Sequence, residues 1–125
     1  MEKILLEVPA PFRTQMGVDI FNHKYAHEGA ETWERLSHTL VEDVCRGEIR
    51  PERRRVIEQY IVEMKFLPGG RYLYYAGRPN KFYNNCYILK SEEDTREDWA
   101  MTSWKHEMCL MTGGGTGNDY SRVHL

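Results

Sequence analysis

Long apolar runs are missing from this chain, and so is any strong excess of one charge. No stretch approaches the roughly 18 apolar residues that a membrane-crossing helix requires. The first eight residues hold only the short apolar trio Ile4, Leu5 and Leu6 beside Glu2, Lys3 and Glu7, which is not the pattern of a secretory leader. Seventeen Lys and Arg against nineteen Asp and Glu leave a formal net charge of −2. That balance argues against a nucleic-acid-binding arm or a polybasic membrane anchor. Cysteine is scarce too. Cys45, Cys86 and Cys109 are odd in number and far apart, with no CxxC pair. They suggest neither a disulfide framework nor a structural metal. The expectation is a soluble, cytoplasmic protein with no nucleic-acid or membrane partner.

What remains is ordinary for one domain. A chain of 125 residues can bury roughly two-thirds of the surface it exposes when unfolded. The first sixteen residues include Pro9 and Pro11 without a clear period and read as an extended arm. A short helix is expected over Val18–His27, with His23 and His27 as two solvated histidines on its surface rather than metal ligands. Trp33, Leu36, Leu40, Val41 and Val44 then repeat with the period of one helical face, and Gly47 stands where that helix would stop. Cys45, beside the stripe, reads as a small apolar core residue.

Pro51 suits a first helical position. Val56, Ile57, Tyr60, Ile61 and Met64 form a second apolar face, while Arg53, Arg54, Arg55 and Glu58 cover the wet side. Two such helices make an αα-hairpin. Leu67-Pro68-Gly69-Gly70 is expected to end the second helix, because proline cannot continue the hydrogen-bond ladder. Arg71–Ala76 is ambiguous between helix and strand. Asn84–Leu89 reads as a short buried strand. A further helix is expected from a capping box at Asp94-Thr95-Arg96-Glu97 to Met111, ended by the glycines that follow.

Three features carry possible chemistry: the turn Pro68-Gly69-Gly70-Arg71, the strand start Asn84-Asn85-Cys86, and the loop Gly113-Gly114-Gly115-Thr116-Gly117. Each alone is ordinary. Yet four glycines in five positions exceed what a helix stop needs, and glycine costs up to about 1 kcal/mol in chain entropy relative to alanine. Close approach of bare backbone to a ligand is one reason for the excess. No Lys-Ser or Lys-Thr follows, so this is not a Walker loop. The preceding element reads as a helix, so it is not a dinucleotide fingerprint either.

Together these words are recognisable. Phe66-Leu67-Pro68-Gly69-Gly70-Arg71-Tyr72-Leu73, Asn84-Asn85-Cys86-Tyr87-Ile88-Leu89, Met111-Thr112-Gly113-Gly114-Gly115-Thr116-Gly117 and Tyr120-Ser121 resemble, in order and interval, the adenosylcobalamin-dependent (class II) ribonucleotide reductases. Tyr25-Ala26 and Glu31-Thr32-Trp33 are similar to the helical region that precedes the barrel in that family, so the resemblance covers most of the chain. It implies an α/β fold: an N-terminal helical region over 1–66, then over 67–125 the first strand or strands of a ten-stranded α/β barrel, incomplete in this chain.

It further implies that Cys86 matches one of two thiols that reduce the substrate. In the family, adenosylcobalamin generates a thiyl radical on another cysteine, which removes the 3′ hydrogen of the nucleotide. The 2′ hydroxyl leaves as water with a proton from the thiol that Cys86 resembles, and that thiol ends in a disulfide. Gly114 and Gly115 match a loop touching substrate, with Asn85 beside them, and Gly69 and Gly70 match a turn bordering the ribose and phosphate. Asp94 and Arg96 align with the start of a helix that joins the effector site in dimeric members. No residue is expected to bind a metal. The implied partners are a ribonucleoside di- or triphosphate, a thioredoxin-type reductant, and a complementary reductase polypeptide carrying the radical cysteine.

Two departures stand out. The radical cysteine, its companion asparagine and glutamate, and the second redox thiol have no match in these residues. His124 stands where the family usually has an arginine that helps to bind effector phosphate. The expectation is a protein that acts only once another polypeptide completes it. Two alternatives are a fragment of an iron-dependent class I reductase and a non-enzymatic helical interaction module.

Overall fold

The computed structural model describes residues 8–123; His124 and the trio Ile4–Leu6 lie outside the described residues. Two compact units meet in sequence between Lys81 and Phe82. The architecture is α/β, helices in both units and one small parallel sheet in the second.

The first unit is helical. Helix α1 covers Gln15–Ile20, and a π-helical turn, Phe21–Tyr25, follows it directly. The helix begins earlier than the expected Val18 because the Thr14 side chain accepts a hydrogen bond from the Gly17 N–H at 3.2 Å. His27 lies beyond the last turn, not on a helix surface. Its Nε2 sits 2.8 Å from the Ala76 carbonyl oxygen and its Nδ1 2.9 Å from that of Glu28. The expectation of two solvated helix histidines therefore fails for His27, because a distant carbonyl captures its ring.

Helix α2, Trp33–Val44, is capped by the Thr32 hydroxyl, which accepts from the Arg35 N–H. Its periodic stripe becomes the core: Trp33, Leu36, Leu40 and Val41 are buried, while Val44 at its end is exposed. Helix α3 runs Pro51–Val62, with Pro51 at its start as anticipated. It ends short of the expected Leu67. Met64 adopts a left-handed φ of 55°, and the N–H groups of Lys65 and Phe66 both donate to the Tyr60 carbonyl. The Trp33 indole N–H meanwhile donates to the carbonyls of Ile61 and Val62 at 3.1 and 3.2 Å. Helix-end carbonyls need partners, and here they find them before the proline is reached. The Arg53–Arg55 side faces water, with Arg53 and Arg54 paired to Glu48 and Glu42.

The ambiguous aromatic segment resolves as a short helix, α4, Gly70–Tyr75. Gly77 follows its end at φ 73°, the left-handed position where glycine is favoured. Its N–H donates to Asp43 Oδ2 at 2.6 Å, and Lys81 and Arg46 also donate to that carboxylate. Burial alone would push the Asp43 carboxyl up. The hydrogen bonds from Lys81, the Gly77 N–H and Arg46 outweigh it and hold the group below the usual carboxylate range.

The second unit is a βαβ motif. Strand β1, Cys86–Lys90, leads into helix α5, Arg96–Met111, and then into strand β2, Gly115–Asp119. The strands are parallel, in the register Cys86↔Gly115 through Lys90↔Asp119. A helical crossover is the usual way to join parallel neighbours. Two expectations are corrected here. The glycine-rich loop is half strand, since Gly115 onward pairs with β1. And β1 is not buried: Cys86 is exposed and Ile88 is 87% exposed. The helix covers one face of the sheet, so alternate residues of β1 turn to the open face.

Helix α5 starts one residue later than the expected box. Thr95 is the cap, accepting from the Asp98 N–H at 3.2 Å, and the Asp98 carboxylate accepts from the Glu93 N–H. The hydroxyl of Thr95 reaches the first free N–H groups, so Asp94 stands outside the helix and Arg96 is its first residue. No described helix is long and apolar enough to cross a membrane.

Candidate functional site

The site begins with a consequence of pleating. Successive strand residues point to opposite faces. Tyr87 and Leu89 turn toward α5, which leaves Cys86, Ile88 and Lys90 on the open face. In β2 the same alternation puts Gly115 and Gly117 on the open face and Thr116 and Asn118 on the helix face. The parallel register then sets the Cys86 thiol beside Gly115, and Ile88 beside Gly117. A methyl group added to Gly115 would lie 3.4 Å from Cys86 Sγ, and nothing lies within 4 Å of the same position on Gly117. The open face is thus a thiol bordered by bare backbone. An incoming molecule can approach the sulfur across Gly115 without displacing a side chain.

Hydrogen bonds fix this corner. The Gly115 N–H donates to the Asn85 carbonyl at 2.8 Å, which anchors β2 at the foot of β1. Asn85 itself is exposed and adjoins the thiol in sequence. Gly114 is placed differently. It is buried, its N–H donates to the Cys109 carbonyl, and a methyl there would approach the Tyr87 ring to 2.7 Å. A glycine is needed at 114 for packing. At 115 it leaves the sulfur uncovered.

Gly69 and Gly70 belong to the first unit, at the start of α4, where a methyl on Gly70 would stand 3.2 Å from the Tyr25 hydroxyl. Asp94 and Arg96 are exposed around the start of α5. The structure therefore gathers Asn85, Cys86, Gly114 and Gly115 in one corner of the second unit, with Asp94 and Arg96 at the opposite end of β1.

Polar groups that the sequence did not single out line the helix face of the same unit. A cavity of about 300 Å³ lies among Ser91, Trp99, Thr102, His106, Asn118 and Tyr120. Thr116 Oγ1 sits 2.5 Å from His106 Nδ1, and the buried hydroxyls of Ser91 and Thr102 are 3.5 Å apart. The Asn118 amide nitrogen donates to the Tyr120 hydroxyl, while its buried oxygen has no hydrogen-bond partner. Hydrogen bonds from Ser121 hold the nearby Asp119 carboxylate below its ordinary range. The alternation Thr116, Asn118 would have shown these groups, had Gly115–Asp119 been read as a strand. Among the described residues no cluster of His, Cys, Asp or Glu could hold a metal ion.

Chemically, the corner offers an accessible thiol on a strand and a backbone floor beside it. Comparison with known proteins adds nothing to that geometry: no family model, no curated protein and no solved structure matches the chain.

Proposed function

We propose that this chain is the N-terminal part of a ribonucleotide reductase of the adenosylcobalamin-dependent class, and that Cys86 is one of its two reducing thiols. In this reading β1 and β2 are two strands of the ten-stranded barrel. One observation carries the proposal: the Cys86 sulfur is exposed beside Gly115 rather than packed under hydrocarbon. The motif words of the sequence support the same assignment.

The chain's share of the reaction follows from thiol chemistry. The Cys86 thiol gives its proton to the departing 2′ hydroxyl, which leaves as water. Its sulfur then bonds to the partner thiol, so two thiols become a disulfide while the nucleotide gains the two electrons. That closure needs Cα atoms about 4.4–6.8 Å apart. A strand position keeps such geometry reproducible, and exposure lets a thioredoxin-type dithiol reopen the bond by exchange. Adenosylcobalamin would supply radical initiation. A thiol and a backbone strip make no cradle for a corrin ring, so no residue here is assigned to it.

The test is reconstitution with the complementary polypeptide, adenosylcobalamin and a ribonucleoside triphosphate or diphosphate. Deoxynucleotide should form, and Cys86→Ser should abolish turnover by a dithiol reductant while leaving assembly intact. Full turnover by Cys86→Ser would refute the assignment. It is the result expected if the chain were only a helical interaction module.

A further inference from the structure

The core of the first unit is indented at one edge. A cavity of about 530 Å³ lies there, within that unit alone. Phe21, Trp33 and Leu73 are buried and form its floor, and the half-buried rings of Phe12 and Tyr25 wall it. Around the mouth stand Ile20, Met64 and Leu67, which are 44, 38 and 60% exposed. Single apolar side chains on a surface are normal, whereas a contiguous set around a hollow marks a binding surface. Mainly apolar hollows of about 300–1,000 Å³ with few polar groups are the usual sites for small molecules.

The polar groups at this cavity select its occupant. The Trp33 indole N–H is already taken by the carbonyls of Ile61 and Val62, so the floor offers only hydrocarbon and ring faces. The bound part must therefore be apolar. Arg13 also lines the cavity; it is exposed and has no ion-pair partner among the described residues. A guanidinium binds a carboxylate through two parallel hydrogen bonds and repels an amine. The Tyr25 hydroxyl, likewise without a hydrogen-bond partner among the described residues, can donate a further bond. An apolar body ending in one carboxylate fits both demands. A protein partner would need about 800 Å² a side rather than one hollow.

We propose that this hollow binds a small alkyl monocarboxylate, its chain over Phe21, Trp33 and Leu73 and its carboxylate on the Arg13 guanidinium. The inference stands apart from the role given to Cys86, because that thiol belongs to the other unit.

Titration calorimetry of the full chain with hexanoate, octanoate and decanoate, each below its micelle concentration, should show one saturable site. Affinity should rise along the series, by up to about fourfold for each methylene buried. Ile20→Glu sets a charge of the ligand's own sign at the mouth and should abolish binding with unchanged helical circular dichroism. Should that variant lose helix, Leu67→Glu, outside any helix, serves the same purpose. Arg13→Gln should weaken decanoate about fivefold and leave decanol unchanged. No saturable binding by any of the three acids would overturn the proposal. So would binding indifferent to Ile20→Glu and Leu67→Glu, or binding that appears only once Ile4, Leu5 and Leu6 are replaced by serine, which would give the hollow to the chain's own start. Equal losses for decanoate and decanol in Arg13→Gln would overturn the part given to the guanidinium.

Discussion

Apolar surface is handled in opposite ways by the two units. In the first, Phe21, Trp33, Leu36, Leu40, Val41, Ile61 and Leu73 are buried with Ala30 and Ala76 in one cluster, and the rings of Phe12, Phe21 and Trp33 meet at tilted or edge-on angles. In the second, the buried side chains among the described residues are the hydroxyls of Ser91 and Thr102, while Ile88, Trp104 and Met111 are more than half exposed. A parallel sheet ordinarily has both faces covered. The first unit is closed around its own core. The second leaves apolar side chains exposed on α5 and on the open face of its sheet, and its thiol lies on that open face. The buried core thus lies in the first unit and the exposed thiol in the second.

The contrast can be broken, and the most forceful attempt is a pair of truncations. Leu36→Ala, at a fully buried position, should cost about 2–5 kcal/mol in urea unfolding of the full chain. Ile88→Ala should stay within about 0.5 kcal/mol. Equal costs would mean that the second unit has a core of its own. A smaller effect, about 1–3 kcal/mol, is expected for Gly77→Ala, since a methyl there meets Thr39 at 2.6 Å on a backbone with φ 73°. Gly117→Ala, with open space around it, should change stability little; hydrogen exchange read separately over each unit would show whether it does.

Acid should loosen the corner around Asp43. The Asp43 carboxyl is held below its ordinary value when folded, so its contribution is present above the unfolded pKa, about 3.9. That contribution disappears as pH falls through the lowered folded value. Exchange protection around Gly77 should therefore fall in acid, and Asp43→Asn should flatten that dependence. A modest effect belongs to the cap of α5. Thr95→Ala should cost about 1 kcal/mol and fray the first turn, whereas Asp94→Ala should not. The reverse order would restore Asp94 as the capping residue.

Much of this was legible in the residues, and the failures have identifiable causes. The α2 stripe predicted its buried face because a twelve-residue helix repeats its period often enough to be unambiguous. The α3 stripe overreached. Met64 fits the period but takes a left-handed turn, and a tryptophan from another helix supplies the partners for the end of the ladder. Thr95 and Asp94 are both good caps by type, so geometry had to choose. Gly113–Gly117 looked like a loop because glycine favours no strand by itself; pairing with β1 makes it a strand from Gly115 onward. For the candidate site, Cys86 stood out by its motif, but the difference between Gly114 and Gly115 could not be read from two identical letters.

By itself the amino-acid order determined the two long helices of the first unit, the stop after Met111 and the position of the thiol at a strand start. These follow from local period, capping chemistry and the special backbone of glycine and proline. Tertiary structure decided which face of β1 the sulfur occupies, which glycine leaves it open, and which carbonyl captures His27. Those outcomes depend on partners far away in sequence, and no local pattern encodes a distance.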